Sequence, residues 1–339
     1  MRILIAGLGA IGQRHARNLR ALRPDVELLA WRTRRLRHVV TEQLQRDDTV
    51  DVEEALGIRV FASLGAALAE RPDAMFVCTP TSLHVAAAQL GADAGCHLFI
   101  EKPVSHTMEG VDQLRATIGA GRLVAMVGSQ WRFHPLVRRL RALLLEGALG
   151  AVSGARLEYA EYLPDWHPYE DYRESYAARA ALGGGVVLTQ IHDYDLAWWL
   201  FGPARRVRAK GGHASTLEID VEDTVDAVLD MDTTTVRVTQ SMAVRPPRRL
   251  ITVEGDRGRA VLDLLAGTLH LDARPPLAPM APMADYDRNR MFIDEAAQFL
   301  DCVEGRSVPA VPLTEGIAVL RVALAVKESL RTGLAVELT

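Results

Sequence analysis

The chain has 339 residues, of which 49% are hydrophobic and 24% charged, so its length allows two domains or one large α/β domain with a sizeable core. Its 39 basic and 43 acidic residues give a net charge of −4, which argues against a nucleic-acid-binding protein. The three cysteines, Cys78, Cys96 and Cys302, form neither a disulfide framework nor a spaced metal motif. No apolar run approaches the ~20 residues of a membrane span, and no signal-peptide cleavage site follows the start. We therefore expect a cytoplasmic protein with reduced thiols.

Short apolar runs alternate with helical patterns over the first ~125 residues. The runs predict strands at 2–6, 26–31, 58–61, 74–78, 97–100 and 123–127. The helical patterns cover 11–22, 82–95 and 108–120, with a polar, poorly patterned helix before the third strand. This alternation predicts βαβ units and a parallel sheet.

The pattern changes after about residue 128. Segments that alternate apolar and polar residues predict strands at 151–160, 205–212, 223–231, 234–242, 249–254 and 259–263. Helices are predicted at 135–146, 188–201, 288–304 and 314–331, with a proline-rich loop at 274–284. The alternation is typical of an antiparallel sheet with one open face.

A glycine loop directly follows the first predicted strand and opens the first predicted helix. Its residues are Gly7, Leu8, Gly9, Ala10, Ile11 and Gly12. In a Gly-x-Gly-x-x-Gly turn the glycines allow a tight turn, close approach of a pyrophosphate and close packing of the helix on the strand. The N–H groups of the helix N-terminus can bind the phosphates. The alternative is a strand–helix turn without a ligand.

The end of the second predicted strand bears on the cofactor. NAD-binding folds usually place an acidic residue there, whereas an arginine suits the 2′-phosphate of NADP. Arg32, Thr33 and Arg34 follow this strand, with no acidic residue among them. The sequence therefore favours NADP over NAD. The alternative is that these arginines belong to a solvated turn that binds no phosphate.

Three further segments accompany the glycine loop. The fourth predicted strand runs into Cys78-Thr79-Pro80-Thr81-Ser82-Leu83-His84, and the fifth into Glu101-Lys102-Pro103. Gly183-Gly184-Gly185 precedes Ile191-His192-Asp193-Tyr194-Asp195, Trp198-Trp199 and Phe201-Gly202. In this combination the chain resembles the glucose–fructose oxidoreductase/inositol dehydrogenase (Gfo/Idh/MocA) family over most of its length.

The resemblance implies a Rossmann domain followed by an α/β domain with a large, mostly antiparallel sheet. We place the dinucleotide-binding domain at 1–125 and the substrate-binding and oligomerisation domain at 126–339. Family members often associate through the open sheet face, so a homo-oligomer, dimer or tetramer, is expected. Neither nucleic acid nor a membrane is expected as a partner.

Two residues are predicted to be catalytic. Lys102 follows a parallel strand at its carboxyl end, where an ammonium can stabilise developing charge on a substrate oxygen. The resemblance implies that the Lys102–Pro103 turn, whose peptide could be cis, aims this lysine. His192 matches the acid/base position of the family and has an ordinary pKa near ~6.5. The alternatives are a lysine in a surface turn and a histidine that packs at a helix start.

The family resemblance also implies that Thr79, Pro80, His84, Glu101 and Lys102 belong to the cofactor site. One departure from the family pattern concerns the residue one helical turn before His192. Many family dehydrogenases have an aspartate there, and this chain has Leu188. Thr189, Gln190, Asp193 or a residue from elsewhere is left to supply the missing polar contact, and the substrate class is in doubt.

Aromatic and acidic residues concentrate between residues 159 and 176. Aromatic faces beside carboxylates suit a polyol, so Trp166 and Tyr172 are candidate substrate contacts, together with Trp131, Arg132 and Thr189. The alternative for this tract is an interface loop or a lid. Arg132 could instead contact a phosphate group, and Trp131 could serve only for packing. No metal is expected, because the acidic residues of the tract lack a supporting pattern.

Together these features predict an NAD(P)-dependent oxidoreductase. It would transfer hydride to or from a secondary alcohol or ketone of a sugar, nucleotide sugar or cyclitol. Two alternatives remain: redox-assisted cleavage of a glycoside with a retained cofactor, and a nucleotide-binding regulator without catalysis.

Overall fold

A computed structural model describes residues 1–32, 38–41, 44–276 and 281–338. The elements of the first half are β1 (Arg2–Ala6), α1 (Ala10–Leu22), β2 (Glu27–Trp31), β3 (Val39–Val40), β4 (Arg46–Asp47), α2 (Val52–Leu56), β5 (Arg59–Phe61), α3 (Leu64–Leu68), β6 (Ala74–Val77), α4 (His84–Asp93), β7 (His97–Glu101), α5 (Val111–Gly121) and β8 (Ala125–Gly128). Six of the strands form a parallel sheet in the order β5-β2-β1-β6-β7-β8. This is the strand order of a Rossmann fold, which binds ligands where the order reverses, between β1 and β6.

The central strands of this sheet are apolar because helices cover both of its faces. All four residues of β6, Ala74–Val77, are buried, as are Leu98–Glu101 of β7. The rings of Phe76 and Phe99 stack with their centroids 4.6 Å apart, and Phe299 from the far end of the chain meets both edge-on. The core of the first half is therefore completed by residues of the second.

The elements of the second half are α6 (Pro135–Leu145), β9 (Val152–Tyr162), α7 (Val186–Thr189), α8 (His192–Phe201), β10 (Ala204–Gly212), β11 (Thr224–Met231), β12 (Thr235–Ser241), β13 (Ala243–Gly255), β14 (Gly258–Asp263), β15 (Thr268–Ala273), α9 (Asn289–Val303), α10 (Leu313–Thr332) and β16 (Val336–Glu337). Eight strands form one sheet in the order β15-β14-β13-β9-β12-β11-β10-β16. Only β9 and β12 are paired in parallel, and burial alternates along β11 as expected for a sheet with one open face.

The last two helices return to the first half. Asn289 of α9 and Asn18 of α1 exchange two side-chain hydrogen bonds, of 3.0 and 3.2 Å. The Val127 N–H of β8 donates to the carbonyl of Val311 just before α10. These contacts bring the beginning of α9 to the same side of the sheet as the glycine loop.

The predicted fold class is confirmed: a Rossmann sheet is followed by a large, mostly antiparallel sheet. The helix predicted at 188–201 is wrong in detail, because the chain forms two helices separated at Gln190 and Ile191. The segment before the third Rossmann strand contains the β3–β4 hairpin and the short α2 instead of one polar helix, and β15 and β16 were not predicted. Residues 277–280 of the proline-rich loop lie outside the described residues.

Four other expectations concern the chain as a whole. β8 ends at Gly128, so the boundary placed between residues 125 and 126 falls inside this strand; it stays a prediction, as does the oligomer. Cys78, Cys96 and Cys302 are buried free thiols. Among the described helices, none has the length and apolar character needed to span a bilayer.

Candidate active site

A cleft of about 860 Å³ opens at the carboxyl ends of β1, β6 and β7. Residues from both halves of the chain line it. Those of the first half include Gly7, Gly9, Ala10, Ile11, Arg14, Arg32, Thr79, Pro80, His84, Glu101 and Lys102. Those of the second half include Gln130, His167, Tyr169, Glu170, Asp171, Glu174, Tyr176, His192, Arg288 and Phe292. The structure therefore brings the glycine loop, the lysine turn and the predicted acid/base histidine to one cavity.

The glycine loop has the geometry that a dinucleotide pyrophosphate requires. Gly7 has a φ of +107°, and a Cβ at this position would lie 2.5 Å from the carbonyl oxygen of Cys78. A Cβ at Gly12 would lie 1.9 Å from the carbonyl oxygen of Gly7, so α1 packs directly against the loop. Gly9 faces open space, and the first turn of α1 has no acidic residue to compete with an anion. The loop and the α1 N-terminus thus form a cradle that fits the pyrophosphate of a bound cofactor.

The end of β2 is described only in part. Arg32 lines the cleft and forms an ion pair with Glu53 of α2. Thr33 and Arg34 lie outside the described residues. The structure consequently supports the presence of a guanidinium at this end of the cleft, although the guanidinium already has a carboxylate partner.

The lysine turn spans the cleft from one half to the other. The Lys102–Pro103 peptide is cis, and Lys102 Nζ donates a 2.8 Å hydrogen bond to the carbonyl oxygen of Thr189. Thr189 is buried, and its hydroxyl donates to the carbonyl oxygen of Gly185 at 2.7 Å. Thr189 therefore offers its backbone oxygen to Lys102, while its side chain stabilises the start of α7.

His84 joins the two turns that border the cofactor cradle. Its Nδ1 lies 2.7 Å from the carbonyl oxygen of Pro103 and its Nε2 lies 2.8 Å from that of Thr79. Burial lowers the pKa of His84, and both of its partners are carbonyl oxygens, which accept hydrogen bonds from the ring. The predicted residues Thr79, Pro80 and His84 are thus held against the Lys102 turn.

His192 begins α8 at the floor of the cleft. Its Nε2 lies 3.4 Å from Gln130 Nε2, and its Nδ1 is buried without a partner among the described residues. Burial, followed by the charges of Lys102, Arg249 and Arg288, lowers the pKa of His192 well below its ordinary value. A neutral imidazole, which can accept a proton, is therefore the resting form.

Gln130 is the polar neighbour of His192 that sequence reasoning missed. Leu188 is buried, and Asp193 instead accepts a 2.7 Å hydrogen bond from Gln240 Nε2. A glutamine side chain carries no charge and does not titrate, so it does not stand out in the sequence as a candidate catalytic residue. The signal for Gln130 was its position directly before the segment that starts at Trp131.

The other predicted substrate residues lie elsewhere. Arg132 is buried and forms hydrogen-bonded ion pairs with Asp195, at 2.7 and 3.0 Å, and with Glu315, at 2.6 Å. Trp131 is buried, Trp166 meets the ring of Tyr159, and the Tyr172 hydroxyl accepts from the Glu218 N–H. None of Trp131, Arg132, Trp166 and Tyr172 is among the described residues that line the cleft. The 159–176 tract nevertheless reaches the cleft through other residues, from His167 to Tyr176.

A buried cluster of ionisable groups lies beneath the lysine turn. His15 Nε2 of α1 and Glu101 Oε1 are 2.7 Å apart, and Glu295 of α9 places a carboxylate oxygen within 4.8 Å of both groups. Burial raises the pKa of Glu101, but the hydrogen bond and charge of His15 outweigh it and the net shift is downward. Burial and the charge of Glu101 raise the pKa of Glu295, and neither of its oxygens has a hydrogen-bond partner among the described residues. Two carboxyl groups this close in a core cannot both ionise easily, so Glu295 holds the proton.

A parallel sheet in Rossmann order, with a glycine cradle and a lysine and a histidine in one cleft, defines a dinucleotide-dependent oxidoreductase. Comparison with known families agrees. A family model described as "Oxidoreductase family, NAD-binding Rossmann fold" matches residues 1–129, and one described as "GFO/IDH/MocA C-terminal domain" matches residues 137–261. The chain belongs to the Gfo/Idh/MocA family of dehydrogenases, as its motifs predicted.

The chain is also similar in sequence to individual relatives and in fold to solved structures. The UDP-N-acetylglucosamine 3-dehydrogenase of Acidithiobacillus ferrooxidans is 31% identical over 80% of this chain and 76% of its own length. The myo-inositol 2-dehydrogenase of Thermotoga maritima is 27% identical over 100% of this chain and 98% of its own. The WlbA dehydrogenase of Bordetella pertussis, solved with NADH and UDP-GlcNAcA, superposes with a TM-score of 0.84 at 23% identity over 100% and 99% of the two chains.

The glycine loop yields a contrast between two alanine variants. Gly12→Ala should lower the free energy of unfolding by about 1–3 kcal/mol, because the new Cβ meets backbone. Gly9→Ala should change the free energy of unfolding by less than about 0.5 kcal/mol, yet weaken cofactor binding at least about tenfold, because its Cβ enters the space in front of α1. Urea unfolding and cofactor titration by fluorescence measure the two effects. Equal cofactor affinity in Gly9→Ala and wild type would contradict this placement of the pyrophosphate.

The protonated state of Glu295 gives a pH dependence with a defined sign. Its pKa is raised in the fold, so the stability that it contributes is complete below about 4.5 and is lost as the pH rises toward the raised value. The free energy of unfolding of wild type relative to Glu295→Gln should therefore fall with rising pH above about 4.5, by up to about 1.4 kcal/mol per pH unit.

Denaturant unfolding at a series of pH values measures this difference, and Glu109→Gln on the surface is the matched control. The free energy of unfolding of the Glu109→Gln variant should change with pH in the same way as that of wild type. If the free energy of unfolding of Glu295→Gln also follows wild type over the whole pH range, Glu295 is ionised in the fold.

Proposed function

We propose that the protein transfers hydride between NAD(P) and a secondary alcohol or ketone carbon of a sugar, nucleotide sugar or cyclitol. The observation that carries this proposal is the meeting of Lys102, His192 and Gln130 in the cleft that also contains the glycine loop. An ammonium and a neutral imidazole in the same cavity provide a hydrogen-bond donor and a proton acceptor for one hydroxyl group.

The relatives support the substrate class. Their names include a UDP-N-acetylglucosamine 3-dehydrogenase, a myo-inositol 2-dehydrogenase and a levoglucosan dehydrogenase. The substrates in these names all present secondary hydroxyl groups on a ring. The acidic and aromatic side chains from His167 to Tyr176 on the cleft wall suit the recognition of such hydroxyl groups.

The roles of the two proposed catalytic residues follow from their charge states. Lys102 Nζ already donates to the Thr189 carbonyl and keeps further N–H groups for a substrate oxygen, whose developing negative charge it stabilises. His192, kept neutral by burial and nearby cations, accepts the hydroxyl proton in oxidation and returns it in reduction. Gln130 restrains the imidazole in place of the aspartate that many family members have.

The cofactor, when bound in the cradle, supplies the hydride acceptor or donor. Residues of this chain would hold the cofactor. The glycine loop and the N-terminus of α1 would bind its pyrophosphate, and the turns at Thr79 and Pro103, which His84 connects, would border it. For the adenosine end we propose NADP as the preferred form. Arg32 and Arg46 line the cleft there, and a guanidinium favours a 2′-phosphate.

The catalytic roles predict distinct effects. Lys102→Met and His192→Ala should each lower kcat by about 10²–10⁴-fold, while cofactor affinity stays within about threefold, because neither residue is required to hold the pyrophosphate. The measurement is the change in absorbance of the reduced cofactor with a panel of sugars, cyclitols and nucleotide sugars. Lys210→Met on exposed β10 is the control and should match wild type. Turnover at the wild-type rate by the Lys102→Met, His192→Ala double variant would contradict the assignment of these roles.

The cofactor preference predicts a selective loss. Arg32→Ser should weaken NADP binding at least about tenfold and leave NAD binding nearly unchanged, since only NADP has the phosphate that Arg32 would contact. Titration of both cofactors into both proteins gives the four dissociation constants. Arg139→Ser on α6, at a position that does not line the cleft, controls for loss of surface charge. A wild-type protein that binds NAD more tightly than NADP would contradict the preference.

A further inference from the structure

Two guanidinium groups approach the same indole ring beside the cleft. The Cζ of Arg249 lies 4.7 Å from the centroid of Trp131 and 4.7 Å from that of Tyr159. The Cζ of Arg288 lies 5.6 Å from the Trp131 centroid, and Arg288 itself lines the cleft. Like charges this close repel each other, so their juxtaposition requires an explanation.

Neither arginine forms an ion pair with a carboxylate in the part of the chain that the structure describes. Arg249 is 7% exposed, and one of its terminal nitrogens donates to Gln190 Oε1 at 2.6 Å. The other terminal nitrogen is buried and has no partner among the described residues. The two acidic side chains that influence them electrostatically have other partners. Glu161 accepts from the Tyr159 hydroxyl at 2.7 Å, and Asp193 accepts from Gln240 at 2.7 Å. A buried guanidinium with an unused N–H group is costly unless an anion reaches it.

Arg288 lines the cleft, and Arg249, which does not line it, lies beside Arg288 at the Trp131 ring. Both act electrostatically on His192, as does Lys102, and Arg288 lines the same cavity as His192 and Lys102. The aromatic rings limit the freedom of Arg249, so its planar group is held ready for a ligand. Neither arginine belongs to the glycine loop or to α1, whose N-terminus accounts for the phosphates of the cofactor, although the charge of Arg14 in α1 also acts on Arg288.

We propose that Arg249 and Arg288 form an anion-binding subsite, and that the substrate carries a carboxylate or phosphate group close to the carbon that reacts. The inference rests on the proposed function only in taking the substrate to be sugar-like. Carboxylate and phosphate share the geometry that the guanidinium group recognises, with two parallel N–H···O bonds. A neutral sugar or cyclitol would leave both cations without an anionic partner.

The first experiment compares matched ligands on the protein saturated with reduced cofactor. Isothermal titration would measure the neutral sugar, its 6-carboxylate and its 1-phosphate in the gluco, galacto and N-acetylglucosamine series. We expect at least one anionic ligand to bind at least about tenfold more tightly than its neutral counterpart. The tighter of the carboxylate and the phosphate identifies the source of the charge. Equal binding of neutral and anionic ligands, or no binding of any anion, overturns the proposal.

The second experiment removes one cation at a time. Arg288→Met should reduce the ratio of the dissociation constants of the neutral and the anionic ligand, here called the anion preference, at least about tenfold. Arg290→Met is the matched control, since Arg290 lies two residues away and is paired with Asp294 at 2.9 Å outside the cleft. Arg249→Lys tests the buried position while retaining its charge, and it should lose affinity for the anion because an ammonium lacks the fork geometry. An unchanged preference in Arg288→Met overturns the subsite.

Binding and turnover separate this inference from the proposed function. If a neutral sugar is oxidised and anions have no advantage, the subsite is wrong and the dehydrogenase activity stands. If an anionic sugar binds with dependence on Arg288 but no hydride is transferred across the whole panel, the subsite stands and the proposed activity is wrong.

Discussion

The hydrogen bond between His15 and Glu101 fixes the point on which the candidate active site depends. Glu101 is buried at the end of β7, where a carboxylate can remain ionised only with a donor close by. His15 supplies that donor from within a ring of phenylalanines. Glu101 then accepts a 3.2 Å hydrogen bond from the Lys102 N–H. The backbone that presents the lysine is therefore anchored from inside the core.

From this anchor the two halves of the chain become one site. Lys102 reaches the carbonyl of Thr189 in α7 of the second half. The α9 segment returns to the first half with Glu295 near Glu101 and Arg288 at the cleft. A Rossmann domain alone would have neither His192 nor Arg249 and Arg288, whose charges act on it. The long return of α9 and α10 thus has a chemical consequence, because it completes the core and the site together.

Periodicity and motif order predicted the fold well. Strands that are buried on both faces consist of apolar residues, and strands with one exposed face alternate apolar and polar residues. That the glycine loop, Lys102 and His192 meet in one cleft could be predicted, because each follows a strand or opens a helix. The catalytic roles of Lys102 and His192 stay predictions. Arg132 shows the limit: its charge suggested a ligand contact, whereas its partners Asp195 and Glu315 are distant in sequence. Gln130, Glu295 and Arg249 were missed for the same reason, since their roles arise from neighbours that only the folded chain brings together.

The charges around His192 also bear on how strong a base it can be. Lys102, Arg249 and Arg288 all lower its pKa, which keeps the imidazole free to accept a proton but weakens its hold on that proton. An anionic group on the substrate would act in the opposite direction, because a negative charge near the imidazole stabilises its protonated form. A substrate that pairs with the arginines would therefore raise the basicity of His192 as it binds. In that case the net charge of −4 has little bearing on catalysis, and the local cations couple recognition of the substrate to the strength of the base that acts on it.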